Sequence, residues 1–236
     1  MQKKYFRQQV RYFTLVLVLF WVNNSFSGYR NSRVFGTIAE ANVYDQLNLS
    51  SLGLKREIFE KAVAGWKKLK DKTSLKNAGV LSIADLSQSS TARRLYIIDM
   101  DNKEVLFNTY VAHGRNSGEE YAKSFANKPE SYKSSLGFYL TGDTYQGAHG
   151  SSLRLKGFEK GINDLAEQRG IVVHGAPYVS ESFIRQTGRL GRSQGCPAVP
   201  ENLCVPIVQK IKGGSCFFMF YPDSNYLKGS EILSGE

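Results

Sequence analysis

VLSIADLSQSSTARRLYIIDMDNKEVLFNTYVAHGRN, residues 80–116, is the stretch that decides the fold. Three runs within it, Val80 to Leu86, Arg94 to Met100 and Lys103 to Ala112, are rich in β-branched, aliphatic and aromatic residues and are bounded by Ser, Thr, Asp and Asn. Such runs read as β-strands, and Asp101-Asn102 between the last two reads as a tight hairpin. Downstream, Leu136 to Thr141, Gly170 to His174 and Ser215 to Tyr221 have the same texture. Six short strands with polar connections predict a mainly β fold, a β-sandwich or open barrel with helices packed outside it.

Ahead of these strands, Leu54, Ile58, Ala62, Trp66 and Leu69 recur at helical spacing between Ser50 and Leu69. Ser50 or Ser51 is placed to cap this amphipathic helix, and Lys67, Lys68 and Lys70 sit near its C-terminal end. It forms the core of a helical extension expected over residues 28–79, followed by a β domain over 80–236. The polar segment Arg115 to Ser135, with Gly118, Asn127 and Pro129, reads as a long loop or lid.

At the N-terminus, Lys3, Lys4, Arg7 and Arg11 precede an apolar stretch from Tyr12 to Val22, and small residues follow at Ser25 and Ser27. That is the plan of a secretory signal peptide over residues 1–27, cleaved after Ser27. The apolar stretch is shorter than the roughly 20 residues of a spanning helix, so a stable membrane span is the weaker expectation, with an uncleaved anchor as its alternative. Loss of four basic side chains takes the net charge from +10 to +6. No run of five or six Lys/Arg remains, which argues against a nucleic-acid partner in an exported protein.

Near the C-terminal end the chain reads IVVHG, Ile171 to Gly175, and then GRSQGCPAVP, Gly191 to Pro200. The first piece sets His174 at the end of a buried strand. The second sets Cys196 in a polar, glycine-containing turn rather than in a strand interior, where a free cysteine is usually a small hydrophobe. A thiol with a pKa of roughly 8.5 needs a base or a positive dipole to react at neutral pH. A strand-end histidine facing the turn supplies one, and backbone N–H groups at Gly195 and Cys196 are placed to converge on an oxyanion. This is the apparatus of nucleophilic acyl transfer. Cys204 and Cys216 lie in apolar surroundings and read as core residues or one disulfide, and an odd thiol count leaves at least one free. All three histidines precede glycine, at His113, His149 and His174, but no two lie at short ligand spacing, so no metal is expected.

With IVVHG followed by GRSQGCP, the chain resembles the L,D-transpeptidase catalytic domain of the YkuD type. The resemblance extends through residues 80–116 and through SSLGFYLTGDTYQGAHGSSLRLKG, residues 134–157, which looks like that family's next strand and substrate loop. It implies that Cys196 is the nucleophile and His174 the general base and then acid, with the Gly175 carbonyl orienting the imidazole. Gly195 and Cys196 would form the oxyanion hole, Ser193 would brace the turn or touch substrate, and His149 would contact substrate. Gln194 and Ala198 stand where the commoner family form has histidine and arginine. The GCPA version is similar to a murein L,D-transpeptidase branch found in exported proteins of Gram-negative bacteria, which implies the periplasm. Arg192, Arg154 and Arg189 are the candidates to replace the missing arginine. The implied substrate is a peptidoglycan stem peptide, attacked with loss of D-alanine; carbapenem-type inhibitors are implied with it, and the resemblance implies no organic cofactor. A sortase-like protein transpeptidase and a non-catalytic wall-binding module are the competing readings.

Overall fold

The computed structural model describes residues 38–73, 75–148 and 150–234. The expected signal peptide and His149 lie outside the described residues. Among the described residues, no helix is long and apolar enough to cross a membrane.

Eight strands form one sheet: β1 Val80–Asp85, β2 Leu95–Asp99, β3 Glu104–Thr109, β4 Gly137–Gly147, β5 Gly150–Gly157, β6 Val172–Ala176, β7 Ala198–Pro200 and β8 Cys216–Phe220. Their order is β3-β2-β1-β8-β4-β5-β6-β7. β1 with β8 and β6 with β7 are parallel, and the other neighbours are antiparallel. Just past β3, Ala112 bridges to Ala198 of β7. The two outermost strands thus come back together, and the sheet nearly closes into a barrel, which leaves little open edge. The mainly β architecture expected from the sequence is the one observed, in its barrel-like form.

Side chains along each central strand alternate between two cores. Leu81 and Ile83 of β1 and Phe218 and Phe220 of β8 face one of them, while Val80, Ala84, Phe217 and Met219 face the other. Because both faces are covered, these strands read as continuous apolar runs rather than as alternation. Helices α1 (Ile38–Gln46) and α2 (Arg56–Lys72) cover the first face. On the second face, α4 (Glu201–Ile211) contributes Ile207, Val208 and Ile211. Short helices α3 (Glu181–Thr187) and α5 (Ser224–Gly229) complete the secondary structure of the described residues.

Helix α2 buries Ile58, Phe59, Ala62, Val63, Trp66 and Leu69 on one stripe, as its periodicity predicts. It lies so close to the sheet that a Cβ at Gly65 would fall 2.0 Å from the Phe138 ring. That ring in turn stacks on Phe218 with centroids 4.0 Å apart. The helix starts at Arg56 rather than Ser50: Asn48 and Gly53 take left-handed φ of 47° and 88°, and Ser51 Oγ donates to the Asn48 carbonyl instead of capping.

Other differences from the sequence reading are local. β3 ends at Thr109 because the chain leaves β2 there to reach β7. β4 runs on to Gly147 to pair with β5, and neither β5 nor β7 was expected. Cys204, on α4, and Cys216, on β8, are buried free thiols, so the disulfide alternative falls.

Residues 115–135 have no helix or strand, as expected of a loop, but the segment is fastened in place. Ser117 Oγ accepts from the Ser134 N–H (2.9 Å), and Ser134 Oγ accepts from the Gly114 N–H (3.0 Å) and donates to the Gly195 carbonyl (3.1 Å). This loop is therefore a wall bonded to the turn that carries Cys196.

Candidate active site

Strand β6 sends Val173 into the second core and turns Val172 and His174 to the opposite face. There they line a cleft of about 610 Å³ together with Cys196, Ser193 and Gln194. His174 is the register partner of Ser152 on β5 and of Ala198 on β7. Cys196 lies in the bend just ahead of β7, and the Val172 N–H of β6 is directed at its sulfur, so the cysteine stands near the residue two before His174.

The turn before β7 is built around Ser193. Its hydroxyl accepts from the Gly195 N–H (3.0 Å) and donates to the Cys196 carbonyl (2.6 Å), while its own N–H donates to the His113 carbonyl (3.0 Å). Gly195 has φ of 123°, and a Cβ there would lie 2.7 Å from the Lys133 carbonyl oxygen, so only glycine fits. Of the two N–H groups expected to form an oxyanion hole, that of Gly195 is directed at Ser193.

Cys196 is partly buried, with its S–H 3.7 Å from the Gly170 carbonyl. Burial pushes its thiol pKa up, and the Val172 N–H and the Arg169 guanidinium pull it back part of the way. At neutral pH the sulfur therefore rests as the thiol, and reaction needs a base. His174 Nδ1 lies 3.0 Å from the Gly175 carbonyl. A proton on Nδ1 satisfies that contact and leaves the lone pair on Nε2, the tautomer a general base requires. Gly175 leaves little room for a side chain, since a Cβ would lie 3.0 Å from Cys204 Cβ and 3.2 Å from Glu201 Cα on α4.

The arginines singled out from the sequence are distributed otherwise. Arg189 and Arg192 both pair with Glu119, the former at 3.0 Å, and only Arg192 lines the cleft. Arg154 points outward from β5 and stacks over Tyr145, 4.5 Å from its centroid. Two cations that the sequence did not single out do line the cleft: Arg169, just ahead of β6, and Arg115, which lies 4.0 Å over the Tyr132 ring. Their neighbours come from chain segments 36 and 17 residues away, so no local pattern announces them. His113 lies outside the cleft lining, with ring contacts to Arg94 and the Gly118 carbonyl. No group of three His, Cys, Asp or Glu able to hold a metal gathers among the described residues.

A barrel-like sheet that presents a histidine and a cysteine to one cleft is matched by a known family model. Residues 50–220 match the L,D-transpeptidase catalytic domain, and the chain belongs to that family. Among solved structures it is similar to an L,D-transpeptidase from Mycobacterium smegmatis, at 15% identity over 61% of this chain and 59% of that one, with a TM-score of 0.38. It is also similar to a point variant of the helical cell shape determining protein Pgp2 from Campylobacter jejuni, at 15% identity, 72% and 58% coverage and a TM-score of 0.40. A third is L,D-transpeptidase 3 from Mycobacterium tuberculosis in complex with a faropenem-derived adduct, at 13% identity, 61% and 60% coverage and a TM-score of 0.35. The chain spans less than two thirds of each of these proteins. No curated protein matches it.

Proposed function

We propose that this protein is an exported cysteine acyltransferase acting on peptidoglycan stem peptides, with residues 1–27 as its signal peptide and the periplasm of a Gram-negative bacterium as its compartment. In this reading residues 80–236 carry the chemistry and the preceding helices brace the sheet. The observation that carries it is the shared cleft of His174 and Cys196, with Nδ1 of the histidine tied back to Gly175. His174 Nε2 takes the proton of Cys196 as the sulfur attacks the diaminopimelate carbonyl, and the Cys196 N–H stabilises the oxyanion. The C–N bond to D-alanine breaks, and His174 returns the proton to the leaving amine. The thioester is then opened by the amine of a second stem, which forms a crosslink, or by water, which leaves a tripeptide stem.

The purified protein, given tetrapeptide-stem wall fragments, is expected to release D-alanine, and Cys196→Ala to abolish release. A carbapenem should leave a covalent adduct on Cys196. Binding of wall polymer with neither D-alanine nor adduct would replace the enzyme with a non-catalytic wall-binding module.

A further inference from the structure

Arg169 is partly buried against the turn that carries Cys196. A Cβ at Gly195 would lie 3.2 Å from its Nη2. Nη1 donates to the Ala126 carbonyl (2.9 Å) and to Ser135 Oγ, and Nη2 to the Lys133 carbonyl (2.6 Å) and Ser131 Oγ (3.3 Å). All four acceptors are neutral, and among the described residues Arg169 makes no ion pair with a carboxylate. Arg189 and Arg192 differ, because they share Glu119. A guanidinium stays charged at any working pH, so at Arg169 a full positive charge is held on the cleft wall beside Cys196 with no carboxylate paired to it among the described residues.

We propose that Arg169 is a positioning residue that stabilises the Cys196 thiolate as it forms, acting from the cleft wall while its fork ties the loop wall to the segment ahead of β6. The inference rests on Cys196 being the nucleophile. An opposite charge beside a thiol favours the ionised form, and it does so most where burial disfavours that form. Burial raises the Cys196 thiol, and Arg169 lowers it. The other groups facing the sulfur do not duplicate this charge. His174 on β6 is the proton acceptor, and Tyr178 stays neutral with its pKa pushed up to about 12. Arg192 is offset by Glu119, while the exposed Arg115 lies over Tyr132 with Glu130 on the same cleft wall. Solvent screens such an exposed charge far more than it screens Arg169.

The test is the rate of Cys196 alkylation by iodoacetamide as a function of pH in the full protein. Arg169→Gln should move the midpoint up by about one pH unit or more, Arg169→Lys should restore most of that shift, and Ser135→Ala, which keeps the charge and removes one bond of the clamp, should leave the midpoint in place. An unmoved midpoint in Arg169→Gln overturns the inference, as does an equal shift in Arg169→Lys, because the guanidinium would then act through geometry alone. Should Arg169→Gln fail to fold, Arg115→Gln decides: an unchanged midpoint is expected, and a shift of about one unit would assign the charge to Arg115 instead. A wild-type Cys196 that stays unlabelled throughout overturns the nucleophile together with this inference, whereas labelling with an unmoved midpoint overturns this inference alone.

Discussion

His113-Gly114 and His174-Gly175 are the same dipeptide at two places against one turn. Both histidines are buried, at 1% and 5% exposure, so exposure does not tell them apart. Both support the Cys196 turn: the His113 carbonyl accepts from the Ser193 N–H, and His174 pairs in register with Ala198. Their rings differ. His113 Nδ1 faces Arg94 Nη2 at 2.8 Å and must accept, which leaves Nε2 to donate to the Gly118 carbonyl at 3.3 Å. Arg94 is itself fully buried, its pKa pushed down to about 10 by burial, and it donates also to the Val111 and Gln88 carbonyls. Burial and the Arg94 charge together push the His113 pKa down to about 3, so the ring is a neutral strut. His174 instead spends Nδ1 on the carbonyl of the next residue and presents its ring to the cleft. Nδ1 accepts in His113 and donates in His174, so the two rings are held in opposite tautomers.

Substitution of each ring by alanine gives the largest expected contrast. His174→Ala should lower D-alanine release by roughly 10²- to 10⁴-fold, the usual worth of a general base, with little change in Tm. His113→Ala should do the reverse. It leaves a buried Arg94 donor without its acceptor, which costs about 1–3 kcal/mol of stability, while turnover per folded molecule stays within a few-fold of wild type. Urea unfolding alongside D-alanine release separates the two. Loss of turnover in a fully folded His113→Ala protein would end the distinction between strut and base.

The sequence sets His174 apart by its place at a strand end facing a glycine-flanked cysteine, and what it leaves illegible has physical causes. The strand-end His-Gly and the glycine-flanked cysteine are each legible as local motifs, and so is the apolar texture of β1, β2 and β8. β5 alternates buried Leu153 and Leu155 with exposed Arg154 and Lys156, so a search for continuous apolar runs passes over it, and β7 escaped notice because it is three residues long and ends in proline. The Arg94 and His113 contact spans 19 residues, that of Arg192 and Glu119 spans 73, and Arg169 reaches Lys133 across 36. Only the folded sheet brings those partners together, so a list of arginines could not say which face Cys196.

Acid provides a gentler test of the same contrast. The folded pKa of His113 is about 3 against an ordinary value of 6.5, so between those values the unfolded chain binds the proton that the folded protein refuses. Its contribution is complete above pH 6.5 and is lost as pH falls toward 3, with a slope approaching about 1.4 kcal/mol per pH unit. Glu159 works in the opposite direction. Burial raises its carboxyl, so its contribution is present below the ordinary carboxylate range and lost as pH rises through the folded value. Urea midpoints between pH 7 and pH 4.5 should fall on acidification, and a flat profile would count against a His113 ring held neutral by burial and Arg94.

The smallest effect isolates that proton. Asparagine at 113 sets its Oδ1 close to where Nδ1 stood, so His113→Asn keeps an acceptor for Arg94 and loses only the far edge of the ring and its bond to Gly118. At pH 7 the variant should therefore fall below wild type by only about 1 kcal/mol, the worth of one ordinary hydrogen bond, and should stand above His113→Ala. Asparagine does not titrate, so the deficit should shrink on acidification as wild type loses the His113 contribution, and it should vanish or reverse by about pH 5. Paired urea titrations of wild type and His113→Asn at pH 7, 6 and 5 measure this directly, because Glu159 and every other titrating group are common to both proteins and cancel in the difference. A deficit that stays constant with pH would show that the ring is not held neutral, and His113 would then stand beside His174 as a second ionisable group against the Cys196 turn.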